Sequence, residues 1–492
     1  MSVLFPAALV EVRSGITTSL IPYGFGNRDP IVPLKNMSMG QLCLLNILFC
    51  WVCSGGLENA TKLCTSKTIV TVNGKFRGRL FMLDEGDNVL VRVTIMFNTM
   101  HGVRQLRTGW LTDRHINRSK RDTPWHAHIL AESNRAWCHC YLAKKRCPLS
   151  VSETRQGKGH RIRGMVESRY RSSGEPGYAN RLPRISDAHM INGHPGPVPN
   201  VLLMIHTLHV ETEKTYLIRV NAAVNDELFF KIAHHNLTVV EVDASYTKPY
   251  TTDTFLGRDK PQLHFLKQIR ALAMDHSLFS PSVSGINPCA TCFNSSRAVA
   301  SINNISFVMP TTAPSSTLLW NKRSFHDDFP GKPLIRSTIR YSTIQSTNNN
   351  GTKVYRLAYN STVQLVIQGN NIVAPESHPT HLHGFNFFVV GRGVGNFDPE
   401  KDPSEFNLID PVERNTVSVP TSGWTVIRFR ADNQEHMFKF QIMLRSVDLG
   451  IWFFHCHLEV HTTWGLKMAF LVENGEGPDE SIEPPPSDLP KC

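Results

Sequence analysis

The six residues Trp452-Phe453-Phe454-His455-Cys456-His457 narrow what this 492-residue chain can fold into more than any other stretch. In an extended strand successive side chains point to opposite faces, so residues i and i+2 share one face while i+1 points away. His455 and His457 therefore face one way and Cys456 the other. One strand can then serve two metal centres, with the Cys456–His455 backbone as a covalent electron path between them.

A soft thiolate with two imidazoles is the ligand set of a blue-copper site, and His378, Cys456 and His461 would supply it. The chain has 22 histidines, and nine of them fall into four tight groups. His101 stands in MHGVRQ, His126 and His128 in WHAH, His378, His381 and His383 in HPTHLHG, and His455, His457 and His461 in HCHLEVH. A lone His-X-His is usually an ordinary surface or core pair, and a lone His-Cys-His is as consistent with a zinc fragment. Four groups in one chain, one of them interleaving Cys with His, point to metal. The His-dominated set with a single Cys favours copper over zinc, and the remaining imidazoles suit a second cluster that handles copper and dioxygen.

The surrounding text is β-rich. Tracts at 68–93, 198–250 and 303–472 hold β-branched runs such as TVQLVIQ, FNFFVVG and KMAFLV, punctuated by Gly, Pro and Asn. No long helical period appears, so the fold class is all-β, a chain of sandwich-like domains. With 41% hydrophobic and 19% charged residues, the chain is too apolar for wholesale disorder. A short helix is expected at 268–279.

The net charge of +11 invites a nucleic-acid reading. Residues 111–184, however, hold 16 Lys or Arg against 6 Asp or Glu, a net of +10, which leaves +1 for everything else. This basic stretch carries no recognisable binding module, so nucleic acid is not expected as a partner. Its part at 151–184 has no apolar period and reads as irregular.

Residues 42–53 (LCLLNILFCWVC) form a 12-residue apolar run, too short for a stable bilayer span. Lys35 precedes it and Ser54-Gly55-Gly56 follow, the layout of a secretory signal starting near Met37 or Met39. Asn59, Asn117, Asn236, Asn294, Asn304, Asn350 and Asn360 each begin a glycosylation triplet, which fits secretion. The 11 cysteines are odd in number, and Cys289 with Cys292 could form a local bridge.

Several longer stretches carry a family likeness. They are SHPTHLHGFNFFVVGRGVGNFDPEKDPSEFNLIDPVERNTVSVPTSGW from Ser377, WFFHCHLEVHTTWGLKMAFLV from Trp452, and TVNGKFRGR, WHAHI, LIRVNAAVNDELFF and TVVEVDASYTKP upstream. In these the chain resembles the plant laccases, multicopper oxidases built from three cupredoxin-like Greek-key β-sandwich domains. The resemblance implies 1–36 as an atypical extension, 37–57 as the signal-like segment and 58–150 as an incomplete first cupredoxin domain. It further implies 151–184 as the basic irregular segment, 185–259 as a truncated second domain, 260–300 as a linker, and 301–492 as the third domain with the type 1 copper site. It makes His378, Cys456 and His461 the type 1 ligands, with Leu466 at the axial, non-coordinating position. His381 would bind the type 2 copper, and His101, His126, His128, His383, His455 and His457 the type 3 pair. Four copper ions are thus expected, in a monomer secreted to the apoplast. There it would oxidise small phenols such as lignin precursors or lignin-derived products, and reduce O2 to water.

The sequence departs from the family where the type 2 site is completed. The family's first motif is His-Trp-His-Gly; here it reads Thr99-Met100-His101-Gly102, which puts a poor copper ligand at the second type 2 position. The connection from His101 to His126 is shortened, the second domain breaks off near 253–259, and residues 434–449 intervene where 431–433 should run into 450–454. Together these changes resemble mis-spliced or degenerate coding sequence. They raise the alternative of a catalytically impaired copper-binding relative.

Overall fold

The computed structural model describes residues 8–13, 47–62, 65–72, 88–99, 102–113, 157–165, 188–191, 194–195, 209–212, 215–223, 229–243, 245–256, 274–289, 295–308, 329–332, 349–369, 377–432 and 451–476. Among them the secondary structure is almost entirely strand. The strands form four larger sheets and a two-stranded ribbon.

The most complete unit is a two-layer sandwich. One layer has eight strands in the order Asn349–Gly351, Ile305–Phe307, Ser296–Ile302, His276–Pro288, Thr362–Gly369, Gly423–Arg430, Phe387–Val394 and Val412–Arg414. The other has five, in the order Val354–Leu357, Lys467–Val472, Ile451–Cys456, His378–Leu382 and Thr416–Val419. Strand periodicity decides what fills the space between them. Along Thr362–Gly369, Val363, Leu365 and Ile367 join the main core, whereas Val366 joins a separate cluster on the other face. Ile427 and Phe429 likewise point inward while Trp424 and Val426 point outward, where Phe397, Phe406 and Leu408 pack on them. Each large apolar side chain buried this way contributes about 1.5–3 kcal/mol.

Of these strands, His276–Pro288 lies inside the interval 260–300 read from the sequence as linker and Ser296–Ile302 begins inside it, and the first also occupies the end of the expected 268–279 helix. His276–Pro288 pairs in parallel with Thr362–Gly369 and antiparallel with Ser296–Ile302. Its sequence, HSLFSPSVSGINP, is rich in Ser, Pro and Gly, residues of low β-propensity. Pairing on both sides, with Leu278 in the core, overrides that preference.

A seven-stranded sheet runs in the order Ser245–Thr252, Leu237–Val242, Ala8–Arg13, Thr215–Ala223, Gly157–Met165, Ala188–Ile191 and His194–Pro195. The apolar run at 42–53 overlaps the strand Ile47–Lys62, which sits between Thr65–Val72 and Asn88–Thr99 in a four-stranded sheet that Gly102–Asp113 completes. The seven-stranded sheet and the sandwich meet at a buried ion pair, Arg414 Nε to Asp243 Oδ2 at 3.1 Å.

Candidate metal centre

The strand Ile451–Cys456 lies between Lys467–Val472 and His378–Leu382, so its two faces look onto different surroundings. Trp452, Phe454 and Cys456 belong to the core between the layers. His455 and His457 are buried on the other side of the strand, beside His381 and His383.

On the core side three donors converge. Cys456 Sγ lies 3.7 Å from His461 Nδ1 and 3.9 Å from His378 Nδ1, and the two ring nitrogens are 3.2 Å apart. His378, Cys456 and His461 are the group among the described residues whose donor atoms all fall within 4.8 Å of one another. With bonds of about 2.0–2.1 Å to nitrogen and about 2.3 Å to sulfur, as at zinc, such separations let one ion reach all three donors. Burial lowers His378 to about 4 and His461 to about 3, so both rings are neutral near pH 7 and offer lone pairs. The donor set therefore fits a soft, imidazole-binding ion such as copper.

The loop after the strand is built to return His461 to the cysteine. A short helix, Glu459–Thr463, carries His461, and Thr462 Oγ1 donates to the Cys456 carbonyl. Gly465 then turns the chain with φ +105°, where a Cβ would meet Ala300 O and Phe307 N at 2.9 Å. Leu466 follows, 1% exposed and in the same core cluster as Cys456, and its carbonyl accepts from Cys456 N at 3.1 Å.

On the opposite side, His383 Nε2 and His455 Nε2 are 3.0 Å apart. His381 sits 5.0 Å from His383, 5.8 Å from His455 and 5.5 Å from His457, ring centre to ring centre. His455 Nδ1 lies 2.8 Å from the Cys456 carbonyl, which can only accept, so Nδ1 carries the proton and Nε2 keeps its lone pair. Burial pushes His455 well below its ordinary value, and the neighbouring imidazoles push the same way. Four imidazoles gathered in one place are a ready set of metal donors.

Of the residues singled out from sequence, the structure thus brings together His378, Cys456, His461 and Leu466 on one side, and His381, His383, His455 and His457 on the other. His101, His126 and His128 lie outside the described residues, as does 434–449. Thr99 ends a strand, its register partner being Gly102. His209 and His234 are exposed.

Sequence reasoning gave no role to Asp243, Asn415 or Thr416. The carbonyl of Asn415 and Oγ1 of Thr416 lie 2.8 and 3.0 Å from His381 Nδ1. Asp243 Oδ2 in turn accepts from the backbone nitrogens of Asn415 and Thr416. Both segments stood out in the likeness, as TVVEVDASYTKP and NLIDPVERNTVSVP, without any function attached.

The likeness to known proteins extends over most of the chain. Residues 160–256 and 325–476 match family models described as multicopper oxidase. Laccase-4 of Arabidopsis thaliana is 41% identical, covering 89% of this chain and 94% of that protein. Laccase-22 of Oryza sativa subsp. japonica is 39% identical, covering 89% and 93%. The alignment with Laccase-4 runs over 544 residues, so at least 52 of its positions face a gap in this 492-residue chain. Among solved structures, Fet3p, a multicopper oxidase that functions in iron import, superposes with a TM-score of 0.61 at 17% identity, covering 86% of this chain and 90% of that one. The laccase from Botrytis aclada gives the same score and identity, covering 86% and 87%. At that identity the two structures speak for the fold alone.

Proposed function

This chain belongs to the multicopper oxidases and, within them, to the laccases, and from that premise we propose that it oxidises small phenols one electron at a time and reduces O2 to water. Four phenols would each give up one electron and one proton, and these would convert one O2 to two waters. Copper, when bound, supplies the one-electron redox chemistry. We assign the type 1 ion to His378, Cys456 and His461 with Leu466 axial, the type 2 ion to His381, and the type 3 pair to His101, His126, His128, His383, His455 and His457.

One observation carries this reading: His455 and Cys456 are consecutive, yet their donor atoms sit in two different clusters. With copper held at both clusters, the Cys456–His455 backbone would give electrons a covalent path of one residue from one to the other. Burial keeps water from the Cys456 sulfur and holds both type 1 imidazoles neutral.

Lignin precursors and lignin-derived phenols are the substrate class we favour, in the apoplast, with the chain acting as a monomer. The acceptor asparagines Asn236, Asn350 and Asn360 are exposed, which supports secretion; Asn304 is buried. Among the described residues no helix is long and apolar enough to cross a membrane. We further propose that the third cupredoxin unit includes the strands from His276 onward.

A second reading, an impaired copper-binding relative, is favoured by Thr99 at the position of the second type 2 ligand. Copper stoichiometry, visible absorption and oxygen uptake with a phenol separate the two. Four coppers, a blue band and oxygen uptake support the oxidase. A blue band without uptake supports the impaired relative, and a chain that takes up no copper sinks both. Thr99→His should raise oxygen consumption if the missing ligand is the main defect.

A further inference from the structure

The tie between the second and third units supplies no ligand, yet it ends on one. Asp243 closes the turn after Leu237–Val242 with φ +51° and is 5% exposed. Its Oδ2 accepts from Arg414 Nε at 3.1 Å, Asn415 N at 3.3 Å and Thr416 N at 3.2 Å. Three donors from three consecutive residues meet one oxygen, which fixes the backbone there. That backbone presents the Asn415 carbonyl 2.8 Å and Thr416 Oγ1 3.0 Å from His381 Nδ1. Thr416 Oγ1 itself donates to Asn415 Oδ1 at 2.9 Å, so toward His381 it too acts as acceptor. Two acceptors at Nδ1 place the proton there and leave the lone pair on Nε2.

We propose that Asp243 is a positioning residue for His381: by clamping Arg414–Thr416 it sets the tautomer and ring orientation that His381 needs to bind metal through Nε2. The inference rests on the reading of His381 as a copper ligand. Such hydrogen bonds behind a metal-binding imidazole orient the ring, and losing one costs about 10–100-fold in metal affinity. Here the partner comes from a neighbouring unit, so the second unit would shape the metal centre of the third without supplying a ligand.

The test is Asp243→Asn in the full chain. Asparagine keeps the size but removes the charge opposite Arg414 and brings N–H groups that face the donors it should accept from. In apo-chain labelled with 15N-histidine, His381 being identified by the signal lost in His381→Gln, the wild type should show the Nδ1–H tautomer and D243N a mixture. On copper loading, the non-blue copper bound by D243N should fall roughly tenfold or more in affinity, with the blue band of His378, Cys456 and His461 unchanged. His378 shares a strand with His381, and Cys456 shares one with His455. General loosening would therefore dim the blue band as well, and that result, or a tautomer indifferent to Asp243, overturns the proposal. A wild-type chain with the Nδ1–H tautomer but no non-blue copper would remove His381 from the ligand set and leave the clamp standing. Should D243N fail to fold, Arg414→Lys, which keeps the charge but not the Nε contact, should give the same selective loss in weaker form; an unaltered tautomer there overturns the clamp.

Discussion

His455 and Cys456 share a peptide bond but not a neighbourhood: His455 Nε2 is 3.0 Å from His383 Nε2, and Cys456 Sγ is 3.7 Å from His461 Nδ1. The strand that holds them is paired on both edges, so neither side chain can swap faces without breaking register. Two donor clusters one residue step apart follow from strand geometry alone.

Replacing Cys456 by Ser separates the two centres experimentally. The thiolate is the only soft donor of the core-side set, so the blue absorption should vanish. A serine hydroxyl in that fully buried place costs about 1–3 kcal/mol, leaving the far-ultraviolet circular dichroism of the sheets in place. Copper at the imidazole cluster should persist as a non-blue signal. Loss of both signals at once would show that the centres are not independent.

Acid should destabilise the apo-chain earlier than copper-loaded chain. His378 and His461 are held at about 4 and about 3, below the ordinary value of 6.5. Below pH 6.5 the unfolded chain therefore takes up protons that the folded chain refuses, and stability rises with pH in that window. The stabilisation is fully present above about pH 6.5 and is lost as pH falls toward 4 and then 3. Each unit of pKa separation amounts to about 1.4 kcal/mol, so the two rings together account for several kcal/mol. Thermal melts of apo-chain at pH 7 and pH 5 should show the drop. Bound copper competes with the protons and should reduce it.

Much of the site was legible because ligand spacing is a local property. His-X-His and His-Cys-His on strands fix faces without knowledge of the fold, and the β tract from 303 to 472 announced itself through alternation. What was hidden depends on long-range pairing. His276–Pro288 reads as linker because Ser, Pro and Gly dominate it, and it becomes a strand only where Thr362–Gly369 and Ser296–Ile302 bond to both its edges. Asp243 and Asn415 are 172 residues apart in sequence, and no spacing rule could have paired them.

Leu466→Met should lower the reduction potential of the type 1 centre. Leu466 is buried in the core cluster that contains Cys456, and a leucine there offers no donor atom. A thioether at the axial position adds a weak ligand, and axial ligation tunes blue-copper potentials. The swap conserves volume and should cost under about 1.5 kcal/mol, so the fold survives to be measured. Redox titration of the blue band reads the outcome; an unchanged potential would place Leu466 away from the axial position.

Gly384→Ala should damage the imidazole cluster through packing rather than chemistry. Gly384 follows His383 with φ +73°, and a Cβ there would lie 2.3 Å from Cε3 and Cζ3 of Trp452. The left-handed conformation costs an alanine about 1–2 kcal/mol, and overpacking adds about 1–3 kcal/mol. Trp452 cannot yield freely, because it packs at 5.6 Å against Phe385 inside the core. The backbone must move instead, and it carries His383, whose nitrogen donates to Phe453 O at 2.9 Å and whose Nε2 meets His455. The variant should therefore melt earlier and lose non-blue copper before the blue band fades. Equal stability with a full copper complement would show that the turn relaxes without disturbing His383.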